Sequence, residues 1–465
     1  MRPRALTPRR PGGSVGRVMG DPTPFSVMAK PAGPACNLAC EYCFYREKAS
    51  LFPGAGAARM SDGVLESFVR QYLESQPPGE VSFAWQGGEP TLLGLEFFRR
   101  AVELQARYAG GRRVANALQT NGVLIDDRWA EFLAEHRFLV GVSIDGPPGL
   151  NDRFRRDPSG GPTTDRVLGA IKALKRAGAE FNTLTVVNRR NSERPLEVYA
   201  FLKEIGSTFL QFIPLVERIA RGGSRSGGST ALPQALAGPP GTVGAEGAAV
   251  APWSVEPLAY RDFLCAVFDR WVREDAGRVF VQQFEAALSA RAGRASGLCV
   301  FDERCGTALV LEHNGDLYSC DHYVYPSWRL GNILSEPLAV LARSAAQAAF
   351  GDAKRDALPR QCRECAVRFA CNGGCPKHRF VSTRDGDPGL NYLCPAYRGF
   401  LEHAAPMLEG IVHLLAEGRP PGMIGEMVRA DDLRRRFASA GRNDPCPCGR
   451  GRKFKLCCGV QRSAR

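Results

Sequence analysis

The chain contains no run of about 18 consecutive apolar residues, which excludes a membrane-spanning helix. Its first residues, MRPRALTPRRPGGSVGRVMG, are basic but carry no apolar segment, so a secretory signal is excluded as well. Residues 1–21 read as a disordered basic leader on a cytoplasmic protein. Lysine is scarce: nine of the 61 basic residues are Lys and the other 52 are Arg, spread through a chain rich in Ala, Gly and Pro. The net charge of +13 therefore forms no stripe of the kind nucleic-acid binding requires, and it reads as a solvated surface. No self-similar period of solenoid type is present. Cysteine, by contrast, is abundant, with 16 residues. In a chain without a secretory signal, that number points to metal sites rather than disulfides.

At 465 residues the chain exceeds one ordinary core, so two or three domains are expected. Up to about residue 217, strand-like and helical patterns alternate. FSVMAK (Phe25–Lys30), VSFAWQ (Val81–Gln86), VANALQ (Val114–Gln119), FLVGVSI (Phe138–Ile144), FNTLTVV (Phe181–Val187) and FLQFIPL (Phe209–Leu215) read as buried strands. Amphipathic stretches such as SDGVLESFVRQYLES, with Ser61 as cap, and TDRVLGAIKALKRAG lie between them. That alternation predicts a parallel sheet, doubly wound or curled into a barrel, with its active site at the carboxyl ends of the strands. The polar clusters Gly87–Pro90, Thr120–Gly122 and Asp145–Pro147 fall at those ends.

Within GPACNLACEYCFYREK (Gly33–Lys48), Cys36, Cys40 and Cys43 are spaced C-x3-C-x2-C. Three thiolates suit a [4Fe-4S] cluster with one iron left open; the spacing alone also allows a zinc site with a distant fourth ligand. Eight further cysteines follow: Cys299, Cys305, Cys320, Cys362, Cys365, Cys371, Cys375 and Cys394. They are enough for two four-ligand sites, iron–sulfur or zinc. Cys446, Cys448, Cys457 and Cys458, spaced C-x-C-x8-C-C, lie on a segment too small for its own core, which suits structural zinc. Cys265 alone is left over, on the apolar face of a predicted helix, and reads as a buried inert thiol.

The first cysteine loop, with aromatic Tyr42 before its last cysteine, resembles the signature of the radical S-adenosylmethionine superfamily, and WQGGEPT resembles that family's GGEP motif. The resemblance implies a partial (β/α)6 barrel. It also implies a [4Fe-4S] cluster on Cys36, Cys40 and Cys43, with S-adenosylmethionine held by Gly87, Gly88 and Glu89 at its ammonium. Ser143 and Arg155, twelve positions apart, would hold its ribose and carboxylate; Tyr42 would pack near the adenine and the Leu215 backbone would contact it. The second cysteine series resembles a SPASM domain. That resemblance implies one auxiliary [4Fe-4S] cluster on Cys299, Cys305, Cys320 and Cys375 and another on Cys362, Cys365, Cys371 and Cys394. The C-terminal CPCGRGRKFKLCCG resembles the SEC-C zinc motif, implying Zn(2+) and a possible docking partner.

Within the SPASM group the chain is most similar to anaerobic sulfatase-maturating enzymes, on MAKPAGPACNLACEYCFYREK, WQGGEPTLLGLEFF, QTNG, SIDGP, WSVEP and HNGDLYSCDHYVYP. That resemblance implies oxidation of a cysteine or serine in an unfolded or nascent sulfatase to Cα-formylglycine. Asp321 would be the proton acceptor and reduced flavodoxin or ferredoxin the electron donor. His322 beside it reads as a surface residue. The expected order is a core barrel at 22–217, a Gly/Pro/Ser/Ala-rich mobile insertion at 218–252, and a helical bridge with the SPASM domain at 253–420. A linker at 421–440 and the zinc motif at 441–460 complete it. The rival enzyme reading is a SPASM maturase that forms thioether or carbon–carbon crosslinks in a precursor peptide. A non-catalytic iron–sulfur scaffold is disfavoured by the three-cysteine loop, the GGEP loop and Asp321 occurring in one chain.

Overall fold

The computed structural model describes residues 24–52, 59–220, 236–242 and 245–459. The expected leader lies outside them. Six strands, β1 (Ser26–Lys30), β2 (Val81–Trp85), β3 (Val114–Thr120), β4 (Phe138–Ser143), β5 (Phe181–Val187) and β6 (Phe209–Pro214), lie side by side in chain order, all parallel. Every strand expected from the pattern is present. The helices between them obey local rules. Ser61 accepts the Val64 N–H at 3.3 Å to start helix Asp62–Ser75, and helix Thr164–Ala177 ends at Gly178, whose φ of 72° favours glycine.

A short antiparallel pair, β7 (Arg218–Ile219) and β8 (Ala249–Val250), follows the barrel. Strand β9 (Phe280–Val281) extends the sheet beyond β6. On the other side β10 (Ala308–Glu312) pairs parallel with β1 and carries antiparallel β11 (Asp316–Tyr318) and β12 (Arg329–Asn332). The sheet ends at β12 and β9, so the barrel is partial. Phe68, Phe83, Trp85, Phe98 and Phe138 fill the layer between sheet and helices. Phe268, Phe284 and Phe400 continue the same core under helices Pro257–Glu274, Gln282–Arg291 and Cys394–Ala416.

Two segments differ from expectation. The described parts of the insertion at 218–252 are fastened at their base: buried Arg218 donates to Gly238 O at 2.7 Å and Ala245 O at 3.0 Å, and its guanidinium lies over Phe380. Residues 221–235 and 243–244 lie outside the described residues. The expected linker at 421–440 carries a 17-residue helix, Met423–Ser439. Its polar composition hides the reason for this. Gly425 lets it approach helix Pro257–Glu274 so closely that a Cβ there would lie 2.8 Å from Arg273 O. No helix of the described residues is long and apolar enough to cross a membrane.

Candidate active site

The first cysteine loop leaves β1 and is laced to its neighbours by backbone bonds. Gly88 N–H donates to Gly33 O and Glu89 N–H to Ala35 O, both at 2.8 Å; Ala39 N–H donates to Arg156 O at 2.7 Å. A Cβ on Gly88 would sit 1.9 Å from Ala35 O, so only glycine permits this approach. Cys36, Cys40 and Cys43 lie in an apolar cluster with Leu38, Tyr42, Phe154, Leu215 and Trp253. Burial pushes the Cys36 thiol up to about 12 and the Cys40 thiol up to about 11. A cluster binds thiolates, so binding would displace these protons.

Glu89 is fully buried, and burial raises its carboxyl against four donors. Oε1 accepts from Thr91 N (3.0 Å), Thr91 Oγ1 (2.6 Å) and Thr120 Oγ1 (2.8 Å); Oε2 accepts from Asn121 N at 2.7 Å. Only Oε2 retains a free lone pair, so Glu89 first ties the loops after β2 and β3 together, a task the motif did not announce. Asn121 in turn reaches Asn37 Oδ1 at 2.7 Å and Cys36 Sγ at 3.7 Å.

Tyr42 and Arg155 are brought together: Arg155 Nη1 donates to Tyr42 Oη at 3.1 Å, and Tyr42 donates to buried Asp145 at 2.5 Å. Arg155 Nε is buried without a partner among the described residues. An orphaned guanidinium N–H beside the three-cysteine loop fits a carboxylate-bearing ligand. Ser143 accepts from Gln119 Nε2 at 3.0 Å. Leu215 follows β6 with its backbone bonded on both sides. Its N–H already donates to Val187 O at 2.8 Å and its carbonyl accepts from Val255 N at 2.9 Å, while the residue lines the cavity with Tyr42.

The eight later cysteines line two separate cavities. Cys299, Cys305, Cys320 and Cys375 line one cavity of about 340 Å3, together with Cys43, Tyr42, His322 and His378. Cys362, Cys365, Cys371 and Cys394 line another of about 260 Å3. All are free thiols. Buried cations shape both sites. Lys354 donates to Cys299 O at 2.6 Å and Val300 O at 3.1 Å, and Arg379 clamps the loop before Cys375 through Gly373 O at 3.0 Å and Asn372 O at 2.9 Å. These positive charges sit where clusters on thiolates would place negative charge, so the residues fit the groups.

Asp321 follows Cys320 on one turn of 3-10 helix. Its Oδ1 meets Lys30 Nζ at 2.5 Å. Burial would raise the carboxyl, but Lys30, His322 and Lys48 together outweigh it and hold Asp321 below the usual carboxylate range. His322 is not a surface residue: it lines the cavity against Phe44, and burial, with Lys377 adding, pushes it down to about 3. Lys30, Lys48, His322 and His378 were all missed by motif reading. The one available signal was a lysine ending the otherwise apolar strand FSVMAK. Cys265 is half-buried, and burial raises it to about 11.

In the tail the four sulfurs lie within 4.8 Å of one another, with Cys448–Cys457 at 3.4 Å. Sulfurs about 3.8 Å apart are what a tetrahedral ion with bonds near 2.3 Å requires. Burial raises the Cys446 thiol, but the N–H groups of Cys448 and Cys458 prevail and bring it down to about 6.

A three-cysteine loop at the mouth of a partial parallel barrel, followed by two four-cysteine sites, defines a radical S-adenosylmethionine enzyme with auxiliary iron–sulfur clusters. Family models agree: Radical SAM superfamily over residues 31–202, the SPASM iron-sulfur cluster-binding domain over 299–366 and the SEC-C motif over 442–459. The chain is 44% identical over 411 residues to a serine-type anaerobic sulfatase-maturating enzyme of Bacteroides thetaiotaomicron, covering 88% of this chain and 97% of that one. It is 34% identical to a cysteine-type enzyme of Clostridium perfringens, covering 84% and 99%. The solved structure of native anSMEcpe with bound AdoMet and Cp18Cys peptide matches with TM-score 0.70 at 34% identity, covering 84% of this chain and 99% of that one. The chain belongs to the family of anaerobic sulfatase-maturating enzymes.

Proposed function

We propose that the protein oxidises one cysteine or serine of an unfolded or nascent sulfatase to Cα-formylglycine, with Asp321 as proton acceptor. Residues 22–217 would form the radical-generating core and residues 253–420 the auxiliary-cluster domain. The observation that carries the reading is the shared cavity: Cys43 of the first loop and four auxiliary cysteines line it, and Asp321 directly follows one of them. When bound, the clusters and S-adenosylmethionine supply a 5′-deoxyadenosyl radical that removes a Cβ hydrogen and an acceptor for the second electron.

This chain's residues do the rest. Asp321, kept anionic by Lys30 and the other charges around it, takes the S–H or O–H proton, which completes the loss of two protons and two electrons. From serine this leaves the aldehyde, and from cysteine a thioaldehyde that water converts to the aldehyde with release of hydrogen sulfide. Arg155 Nε supplies a donor for the cofactor carboxylate, the free lone pair of Glu89 Oε2 and the Gly87–Gly88 carbonyls accept from its ammonium, and Ser143 serves the ribose. The Tyr42 side chain packs near the adenine and the Leu215 backbone contacts it, within the same apolar cluster. Reduced flavodoxin or ferredoxin delivers electrons in the cytoplasm, and Cys446, Cys448, Cys457 and Cys458 hold one zinc ion as a docking module. The 44% identity to a serine-type relative makes a serine peptide the first client to try.

With reductant, S-adenosylmethionine and a peptide containing a C/S-x-P/A-x-R core, the product should be an aldehyde. A serine peptide should lose about 2 Da by the two-electron oxidation, and a cysteine peptide about 18 Da, the same loss of about 2 Da plus exchange of sulfur for the oxygen of water with release of hydrogen sulfide. Asp321→Asn should still cleave S-adenosylmethionine but form roughly 100-fold less aldehyde, the usual worth of a positioned base. Wild-type aldehyde formation by Asp321→Asn sinks the assigned role. A 2 Da loss from a cysteine peptide without carbonyl reactivity indicates a crosslink and replaces the function.

A further inference from the structure

We infer that Lys30 is the positioning residue for Asp321, a role that rests on Asp321 being the proton acceptor. Lys30 ends β1 and is 1% exposed, so its ammonium has no water to replace a lost partner. Its backbone is held from two sides. In the sheet it lies in register with Glu312 of β10, and on the other side the GGEP loop closes over it: a Cβ on Gly87 would lie 3.5 Å from Lys30 Cα. The side chain runs over the Tyr45 ring, 4.2 Å from its centroid, and Tyr45 is itself tied to Glu312 by its hydroxyl. The ammonium therefore has one place to be, and there it meets Asp321 Oδ1 at 2.5 Å.

Asp321 has no comparable restraint of its own. It lies on a single 3-10 turn, Asp321–Tyr323, and its ion pair among the described residues is with Lys30 through Oδ1. A carboxylate at such a turn samples several rotamers unless something fixes it. Lys30 fixes Oδ1 and leaves Oδ2 to accept a proton. The same contact joins the first barrel strand to the auxiliary domain, so the base is set by the strand that carries the radical-generating loop. Lys30 acts through Asp321, its ion-pair partner.

The test compares Lys30→Met, which keeps length and removes charge, in the wild-type and Asp321→Asn backgrounds of the reconstituted enzyme. Iron content, 5′-deoxyadenosine and formylglycine are measured together with the peptide KM. Lys30→Met should keep its iron and its S-adenosylmethionine cleavage while formylglycine per deoxyadenosine falls about 10-fold, the order expected when a general base is misplaced. KM should stay within about twofold, since the loss is not in ground-state binding. On top of Asp321→Asn, Lys30→Met should change the ratio by less than about twofold, because partners acting as a unit are non-additive. If Lys30→Met does not accumulate with full iron, Lys30→Gln, which keeps a donor without the charge, carries the same expectation. A wild-type ratio in the Lys30 variant, or an equal further loss in the Asp321→Asn background, overturns the inference. Should Asp321→Asn itself keep the wild-type ratio, the base assignment fails first and Lys30 reverts to a structural ion pair.

Discussion

Lys48→Met tests how this interior handles charge. Lys48 is 1% exposed, its Nζ has no hydrogen-bond partner among the described residues, and it lies 3.2 Å from the centroid of the Tyr325 ring. Burial, reinforced by Lys377 and opposed by Asp321, Glu217 and Glu312, lowers its ammonium from 10.5 to about 7. The sign follows from which state holds the proton. Below about 7 folded and unfolded chains are both protonated, and the full cost of burying the charge is present. Between about 7 and 10.5 only the unfolded chain is charged, so the cost shrinks as pH rises. At about 1.4 kcal/mol per pKa unit, the cost should fall by about 2–3 kcal/mol between pH 6 and pH 9. Methionine has nearly the same length and carries no proton in either state. Lys48→Met should therefore be more stable than wild type at pH 6, with an advantage that narrows towards pH 9 by about 2–3 °C in unfolding midpoint. Anaerobic thermal unfolding of the two reconstituted proteins at both pH values measures this. A difference in midpoint that is independent of pH, or a variant less stable at pH 6, would refute the reasoning.

Two other substitutions address the loops and the tail. Gly88→Ala puts a Cβ where Ala35 O stands, 1.9 Å away, and should cost up to about four irons and S-adenosylmethionine cleavage. Gly149→Ala, with nothing within 4 Å of its Cβ, should change neither, so equal behaviour of the two variants contradicts the close-approach argument. A chain ending at Ala440, just beyond helix Met423–Ser439, should lose about one zinc and keep about twelve irons and peptide turnover. Loss of iron or of peptide turnover in that truncation would make the tail part of the catalytic unit.

What could be read from the sequence was whatever short-range chemistry encodes. FNTLTVV and its five companions are strands because buried apolar runs of that length, bounded by turn residues, have few other uses, and Ser61 and Gly178 mark helix ends by local backbone chemistry. The cysteines announced metal, but their division into two fours came from a family resemblance. Cys362, Cys365 and Cys371 are near in sequence, whereas Cys375 belongs with Cys299 across the cavity, and spacing alone does not predict that. Helix Met423–Ser439 escaped because polar composition hid a contact that depends on one glycine against a neighbouring backbone.

The interior charges escaped for a deeper reason. Lys30 is a good strand terminator or a stray surface cation until Asp321, from another domain, arrives beside it, and Lys48 has no local feature that distinguishes it from a solvated lysine. A buried charge is tolerated only by what surrounds it in three dimensions, and that environment is assembled from residues hundreds of positions apart. Motifs identify the atoms that touch a cofactor. The groups that decide whether Asp321 is ionised and where it points belong to no motif. Replacing Lys30 or Lys48 should consequently alter the chemistry or the pH response while every cluster cysteine stays in place. A family resemblance based on cysteine spacing alone would give no reason to expect that outcome.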